Sequence, residues 1–196
     1  MVILKNLKCI FADILYLVCS KQTKAKINAD MRRYLKWNRK IGKRKSRILR
    51  LHVLLLSKPE FRSVFHFRTK RHKLLSALNG MLLPRAKSVE ISGDIAGGLF
   101  VSHYHSVICP EKTGENFRVG PGAVIFGDDG APTFGDNVYV ASNSAVIGNI
   151  RIGDNVIIGA GSVVTHDLAG NAVYVGNPVR FVKKIDADET LLNEIR

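Results

Sequence analysis

Two imidazoles stand two residues apart in VSHYHS, residues 101–106, with a phenol between them. An imidazole titrates near neutral pH, so it can take a proton from an attacking group and return one to a leaving group. His103 and His105 are therefore the first candidates for acid–base work, flanked by the hydroxyls of Ser102 and Tyr104. The bland alternative is a polar residue at a turn, with no chemistry attached. Other chemistries have less support. Cys9, Cys19 and Cys109 are an odd number at no metal-ligand spacing, which reads as reduced thiols in a cytosolic protein. No glycine-rich phosphate fingerprint and no metal constellation is visible.

The elements that must position these histidines announce themselves by a beat of six. Counting from Ile95 gives Val101, Val107, Thr113, Val119 and Ile125. After a slip of three residues it resumes at Phe134, Val140, Val146, Ile152, Ile158 and Val164. Small residues favour the next position, and GDNV recurs at Gly135–Val138 and Gly153–Val156. Neither an α-helix nor an alternating strand has this period. A chain wound around a triangular prism does: each hexad makes one short strand and one corner, and three hexads close a coil. Beat residues then point inward, and coils bury one another's faces as solenoids do. Position 105, four after a beat, is expected to turn inward.

Charge divides the chain. Residues 1–90 hold 23 Lys and Arg against 4 Asp and Glu, a net of +19, whereas residues 91–196 hold 7 against 12, a net of −5. The first segment reads as helical, with apolar residues at Leu4, Leu7, Ile10, Phe11, Ile14, Leu15 and Val18 in helical spacing. It is too short and too charged to span a bilayer, and it lacks the cleavage site of a signal peptide. Asn28 and Asp30 are expected to cap a following helix, and residues 58–81 to form one more. The basic run RKIGKRKSRILR suits a solvated face, or attraction to anionic lipid or an acidic polymer. Without a nucleic-acid motif or interleaved aromatics, nucleic acid is not an expected partner.

The segments IAGGLFVSHYHSVIC (95–109), IGDNVIIGAGSVVTHDL (152–168) and VYVGNPVRFVKKI (173–185) resemble those of the hexapeptide-repeat acyltransferases. Within them the chain is most similar to the serine acetyltransferase-like group, including relatives that O-acetylate capsular and exopolysaccharide sugars. The resemblance implies a mainly β fold, a left-handed parallel β-helix of about four coils, preceded by a basic α-helical region. Expected boundaries are 1–88 for the helical region, 89–185 for the β-helix, and 186–196 for a helical tail. Implied too are acetyl-CoA as co-substrate, no metal, a homotrimer with active sites between neighbouring prisms, and a place in polysaccharide biosynthesis.

By the same resemblance His103 is the catalytic base, and Glu90 is the acid that orients it, with Asp94 in reserve. Ala141, Ser142, Gly159 and Ala160 are the corners along which coenzyme A lies. Arg180, Lys183 and Lys184 follow the terminal turn and suit its phosphates. His166 reads as structural surface. The serine enzymes carry an acid just before the histidine and an Arg-His pair in the loop that the slip creates. Here those places hold Ser102 and GDDGAPT, residues 127–133. A free amino acid needs partners for its ammonium and carboxylate, and a sugar hydroxyl does not. The expected acceptor is therefore a saccharide held by Ser102, Tyr104, Asp128 and Asp129. The alternatives are serine O-acetylation for cysteine biosynthesis and a non-catalytic β-helix scaffold. The expected location is cytoplasmic, with the basic region holding the enzyme at the inner face of a membrane.

Overall fold

The structure, a computed structural model, describes residues 7–36 and 46–185. The tail over 186–196 and the cluster Lys43, Arg44 and Lys45 lie outside the described residues. The chain divides into two compact units, Met1–Lys87 and Ser88–Arg196.

In the first unit, five helices are described: α1 (Ile10–Val18), α2 (Lys21–Lys36), α3 (Arg47–Ser57), α4 (Pro59–Thr69) and α5 (Lys73–Leu82). Asn28 and Asp30 cap nothing, because α2 starts earlier than expected. Ser20 begins it instead, its Oγ accepting from the backbone N–H of Thr23 at 3.1 Å. Asn28 and Asp30 serve inside the bundle. The Tyr16 hydroxyl donates to Asn28 at 2.9 Å, and Arg68 donates to both carboxylate oxygens of Asp30, at 2.9 and 3.1 Å. Residues 58–81 form two helices rather than one, broken at Lys70–His72 between α4 and α5. Pro59 opens α4, where a missing N–H costs nothing. Leu51, Leu54, Leu55, Phe61, Val64 and Phe65 fill the core, with the Tyr34 and Phe61 rings edge to face. Cys9 is buried too, and that burial, aided by Asp13, pushes its thiol up to about 11.

The second unit is the wound prism. Its first coil is β1 (Val89–Ile91), β2 (Asp94–Ile95) and β3 (Phe100–Val101), and its second β4 (Ser106–Ile108), β5 (Lys112–Thr113) and β6 (Arg118–Val119). The third is β7 (Val124–Phe126), β8 (Thr133–Phe134) and β9 (Tyr139–Val140), and the fourth β10 (Ala145–Ile147), β11 (Arg151–Ile152) and β12 (Val156–Ile158). A fifth runs through β13 (Val163–Val164), a bridge at Leu168 and β14 (Ala172–Val175). Three parallel sheets result: face A is β1-β4-β7-β10-β13, face B β2-β5-β8-β11, and face C β3-β6-β9-β12-β14. The last strand, β15 (Arg180–Lys184), folds back antiparallel to β14.

The β-helix has about five turns, not about four. A count from Ile95 to Val164 omits β1, where Val89 keeps the phase and is buried, and the closing coil, which is shorter. Ile158 pairs with Tyr174 there, sixteen residues on rather than eighteen.

GDNV has a physical reading at the corner between faces B and C. A Cβ on Gly135 would meet the Asp154 backbone nitrogen at 2.8 Å, so the coils can approach only at glycine. The Asp carboxylates accept from the coil before: the N–H of Glu115 donates to Asp136, and that of Asp136 to Asp154. Asn116, Asn137, Asn155 and Asn171 adopt positive φ, which asparagine tolerates best after glycine. Their amides form a ladder, each donating to the next at 3.0, 2.9 and 2.8 Å.

Candidate functional site

The corner between faces C and A carries the histidines. In the later coils this corner takes three residues between the beat and the next inward residue: Gly120–Gly122, Ala141–Asn143 and Gly159–Gly161. After Val101 it takes four, Ser102 to His105. The positive-φ position shows the extra residue directly: Gly122, Asn143 and Gly161 stand three after their beats, and His105 stands four after its own. His105 is thus exposed in a left-handed conformation, not turned inward as expected, and Ser106 takes the inward place. The shift also explains the one beat residue that fails. Val107 is only half-buried, whereas Ile108 is buried and pairs with Ile125. The extra residue makes this corner bulge, and the bulge presents His103 and Tyr104 to solvent, Tyr104 at 41% exposure.

The neighbours of the bulge come from β1. The backbone N–H of His105 donates to Ser88 Oγ at 3.2 Å, and that of Ser106 to the Ser88 carbonyl at 3.0 Å. Ser88 escaped the sequence reading. The signal lay in its position one residue ahead of the first beat strand, level with the corner. Glu90 sits mid-β1, exposed, and pairs with Val107 two residues past the bulge. Asp94 opens β2 on face B, across the prism from this corner. Of the two carboxylates, Glu90 is the one the topology sets beside the histidine corner. Ser102 is a departure: its Oγ is buried and without a hydrogen bond, so it does not offer itself to an acceptor at the surface.

Below the bulge the same corner continues as a column of small residues. Ala141, Ser142, Gly159 and Ala160 all lie on it, as does Gly120, whose Cβ would meet the Ser142 nitrogen at 2.6 Å. At its foot Val175 covers Gly159, and the N–H of Gly176 donates to Ser162 Oγ at 3.1 Å. From the histidine corner to this foot is four strand spacings, about 19 Å. Arg180 pairs with Val175 and so stands at the foot of the column. Lys183 and Lys184 pair with Val173 and Ala172 at the other end of β15, toward the B–C corner, and are exposed. What anchors β15 is an outer cluster on face C, in which Ile157 and Ile185 pack with Tyr139 and Val173.

Asp128 and Asp129 are exposed on the corner between faces A and B, where the slip of three residues makes a longer loop. Within one chain, the whole of face A separates that corner from the histidine corner. His166 is exposed on the same A–B edge, one coil past β10. Among the described residues no group of three or more His, Cys, Asp or Glu stands together to hold a metal.

Residues 131–166 match the family model described as bacterial transferase hexapeptide (six repeats). Over 88 residues, 42% of this chain, the sequence is 32% identical to a 2,3,4,5-tetrahydropyridine-2,6-dicarboxylate N-acetyltransferase of Staphylococcus aureus. The match spans 37% of that relative's length. The fold is that of a serine acetyltransferase of Neisseria gonorrhoeae, at 23% identity and a TM-score of 0.66, covering 90% of this chain and 70% of that one. A serine acetyltransferase solved in complex with CoA aligns at 19% identity and a TM-score of 0.63, covering 88% and 74%. The prism thus shares its fold with these solved structures, and over residues 131–166 it matches the hexapeptide-repeat model.

Proposed function

We propose that this hexapeptide-repeat protein is an acetyl-CoA-dependent O-acetyltransferase with His103 as its general base. One observation carries the reading. A single prism edge bears an exposed histidine at its head, small-residue corners along its length and a guanidinium, Arg180, at its foot. A pantetheine arm laid on that edge meets backbone rather than side chains at Ala141–Ser142 and Gly159–Ala160. Its thioester then lies by His103 and its phosphates by Arg180, with Lys183 more distant. The relative solved with CoA supports the co-substrate.

His103 takes the proton of the acceptor hydroxyl as that oxygen attacks the thioester carbonyl. The tetrahedral intermediate then collapses, the carbon–sulfur bond breaks, and the imidazolium returns its proton to the thiolate. Glu90, at the histidine corner, favours the imidazolium and fixes the tautomer. Tyr104 is the exposed hydroxyl placed to orient the acceptor. Asp128 and Asp129 join it only from a neighbouring prism, which requires a homotrimer or a comparable assembly.

For the acceptor we favour a saccharide, as in polysaccharide biosynthesis, because the charges that an amino acid requires are missing at Ser102 and in GDDGAPT. Serine is the second reading, favoured by the likeness in fold to serine acetyltransferases. Thiol release from acetyl-CoA, measured across L-serine, simple sugars and capsular oligosaccharides, decides between them. Release with saccharides and little with serine is the expected result, and the reverse establishes the serine reading. A folded protein that releases no thiol with any hydroxyl compound is a scaffold.

A further inference from the structure

Apart from Asp13, helix α1 is apolar on its inner and its outer side alike. Cys9, Ala12, Leu15 and Tyr16 are buried on its inner side. The outer side shows Leu7, Ile10, Ile14, Leu17 and Val18, all exposed, from 38% at Ile14 to 65% at Leu17. The last four fall within one stripe of the helix, and Leu7 precedes its first turn. α1 packs against α5, which adds Leu74 and Met81, exposed at 74% and 80%, and Leu82. A helix hydrophobic on all sides is ordinarily covered on all sides.

The charge around this face says what covers it. Residues 1–87 contain only three acids, Asp13, Asp30 and Glu60. Asp30 and Glu60 are buried, and Asp13 meets His52 Nε2 at 2.8 Å. The exposed ions of this unit's described residues are therefore cations. Arg71 and His72 line one cavity with Val18 and Cys19, so the start of α5 adjoins the end of α1. Exposed Lys70, Arg71 and Lys73 stand there, with exposed Lys21 at the start of α2.

An apolar stripe with cations gathered at one end, and its one neighbouring acid already paired with His52, fits a surface that is greasy inside and negative outside. A second copy of the same face would set cation against cation. A nucleic acid would satisfy the charges and leave the stripe in water. An anionic bilayer satisfies both, its acyl boundary taking the stripe and its head groups the cations. We propose that the α1–α5 face docks on an anionic lipid bilayer, lying in the interface. Among the described residues no helix is long and apolar enough to cross a membrane.

The test uses the full chain and flotation with two kinds of vesicle, pure phosphatidylcholine and phosphatidylcholine with phosphatidylglycerol. Binding reads out without acetyl transfer, so this proposal and the catalytic one fail independently. The expected result is binding to the anionic vesicles only, weakened at high salt. Each of two variants, Ile14→Asp/Leu17→Asp and Lys70→Glu/Arg71→Glu/Lys73→Glu, should lower it by about tenfold or more. In the unmodified chain, vesicles should slow amide exchange at residues 7–18 and 74–82, a readout that needs no variant to fold. Equal binding to both vesicles, or none to either, overturns the proposal. So does anionic binding that ignores the apolar substitutions, as mere charge attraction or a nucleic-acid surface would give. A change of oligomeric state with Ile14→Asp/Leu17→Asp, at unchanged vesicle binding, assigns the face to a second copy and overturns it as well.

Discussion

At the scale of single residues, the corner 102–105 is where the repeat breaks, and it carries the proposed base. A regular three-residue corner would turn position 105 inward after three residues, whereas here four precede the inward Ser106. The fourth residue pushes His103 and Tyr104 outward, at the cost of a histidine at positive φ. His103→Ala is expected to lower turnover by about two to four orders of magnitude while coenzyme A still binds, since the small-residue column is untouched. Steady-state kinetics beside calorimetric titration with coenzyme A checks both halves. Normal turnover by the folded variant would remove His103 from the mechanism. The histidines were legible from residue type, but their exposure was not. A strict count of six makes Val107 inward and His105 inward, and only the register of β4 against β7 reveals the slip.

At the scale of elements, the two units owe their stability to different devices. The asparagine ladder gives the prism one repeated polar contact per coil. Asn137 is central to it, bonded on both sides and held at φ 56. Asn137→Ala loses both amide contacts and puts an alanine in the left-handed region, a cost of about 2 kcal/mol or more. Asn137→Gly loses the contacts and relieves the backbone. The melting midpoints should therefore fall in the order wild type, Gly, Ala, and equal midpoints for Gly and Ala would show that the backbone conformation carries no cost. In the helical unit His66 sits beneath α5, its Nδ1 3.1 Å from Ser76 Oγ. Burial, with Arg85 adding, lowers its pKa below the ordinary 6.5. The unfolded chain then takes up the proton first, so the neutral histidine's contribution is complete above 6.5 and is lost as pH falls through the folded value. Melts between pH 8 and 5 should show a steeper acid decline for wild type than for His66→Gln. The prism was readable because its period is a closure condition of the fold. The helix boundaries were not, because α2 begins at a serine cap that periodicity does not mark, and α4 ends at a short turn without glycine or proline.

At the scale of the whole molecule, one chain does not bring together every group that the proposed acceptor site calls on. His103 lies on the C–A edge and the Asp128–Asp129 loop on the A–B edge, and no local rearrangement carries a residue across a sheet face. If the loop serves catalysis, it serves the histidine of another copy, in a closed ring where each prism lends its A–B edge to the next. That arrangement has a signature that separates it from a self-sufficient monomer. His103→Ala should be inactive through loss of the base, and Asp128→Ala/Asp129→Ala weakened through loss of acceptor contacts. When the two variants are co-expressed, some edges pair an intact histidine from one chain with an intact loop from the other. Random mixing restores about a quarter of the sites in such a ring. Saccharide-dependent thiol release by the co-expressed mixture should therefore exceed the mean of the two pure variants, with the excess growing as the loop variant's own activity falls. If histidine and loop worked within one chain, no combination of the two variants would contain an intact site. The mixture would then show only the average of its parts, and the shared-edge assembly would be wrong.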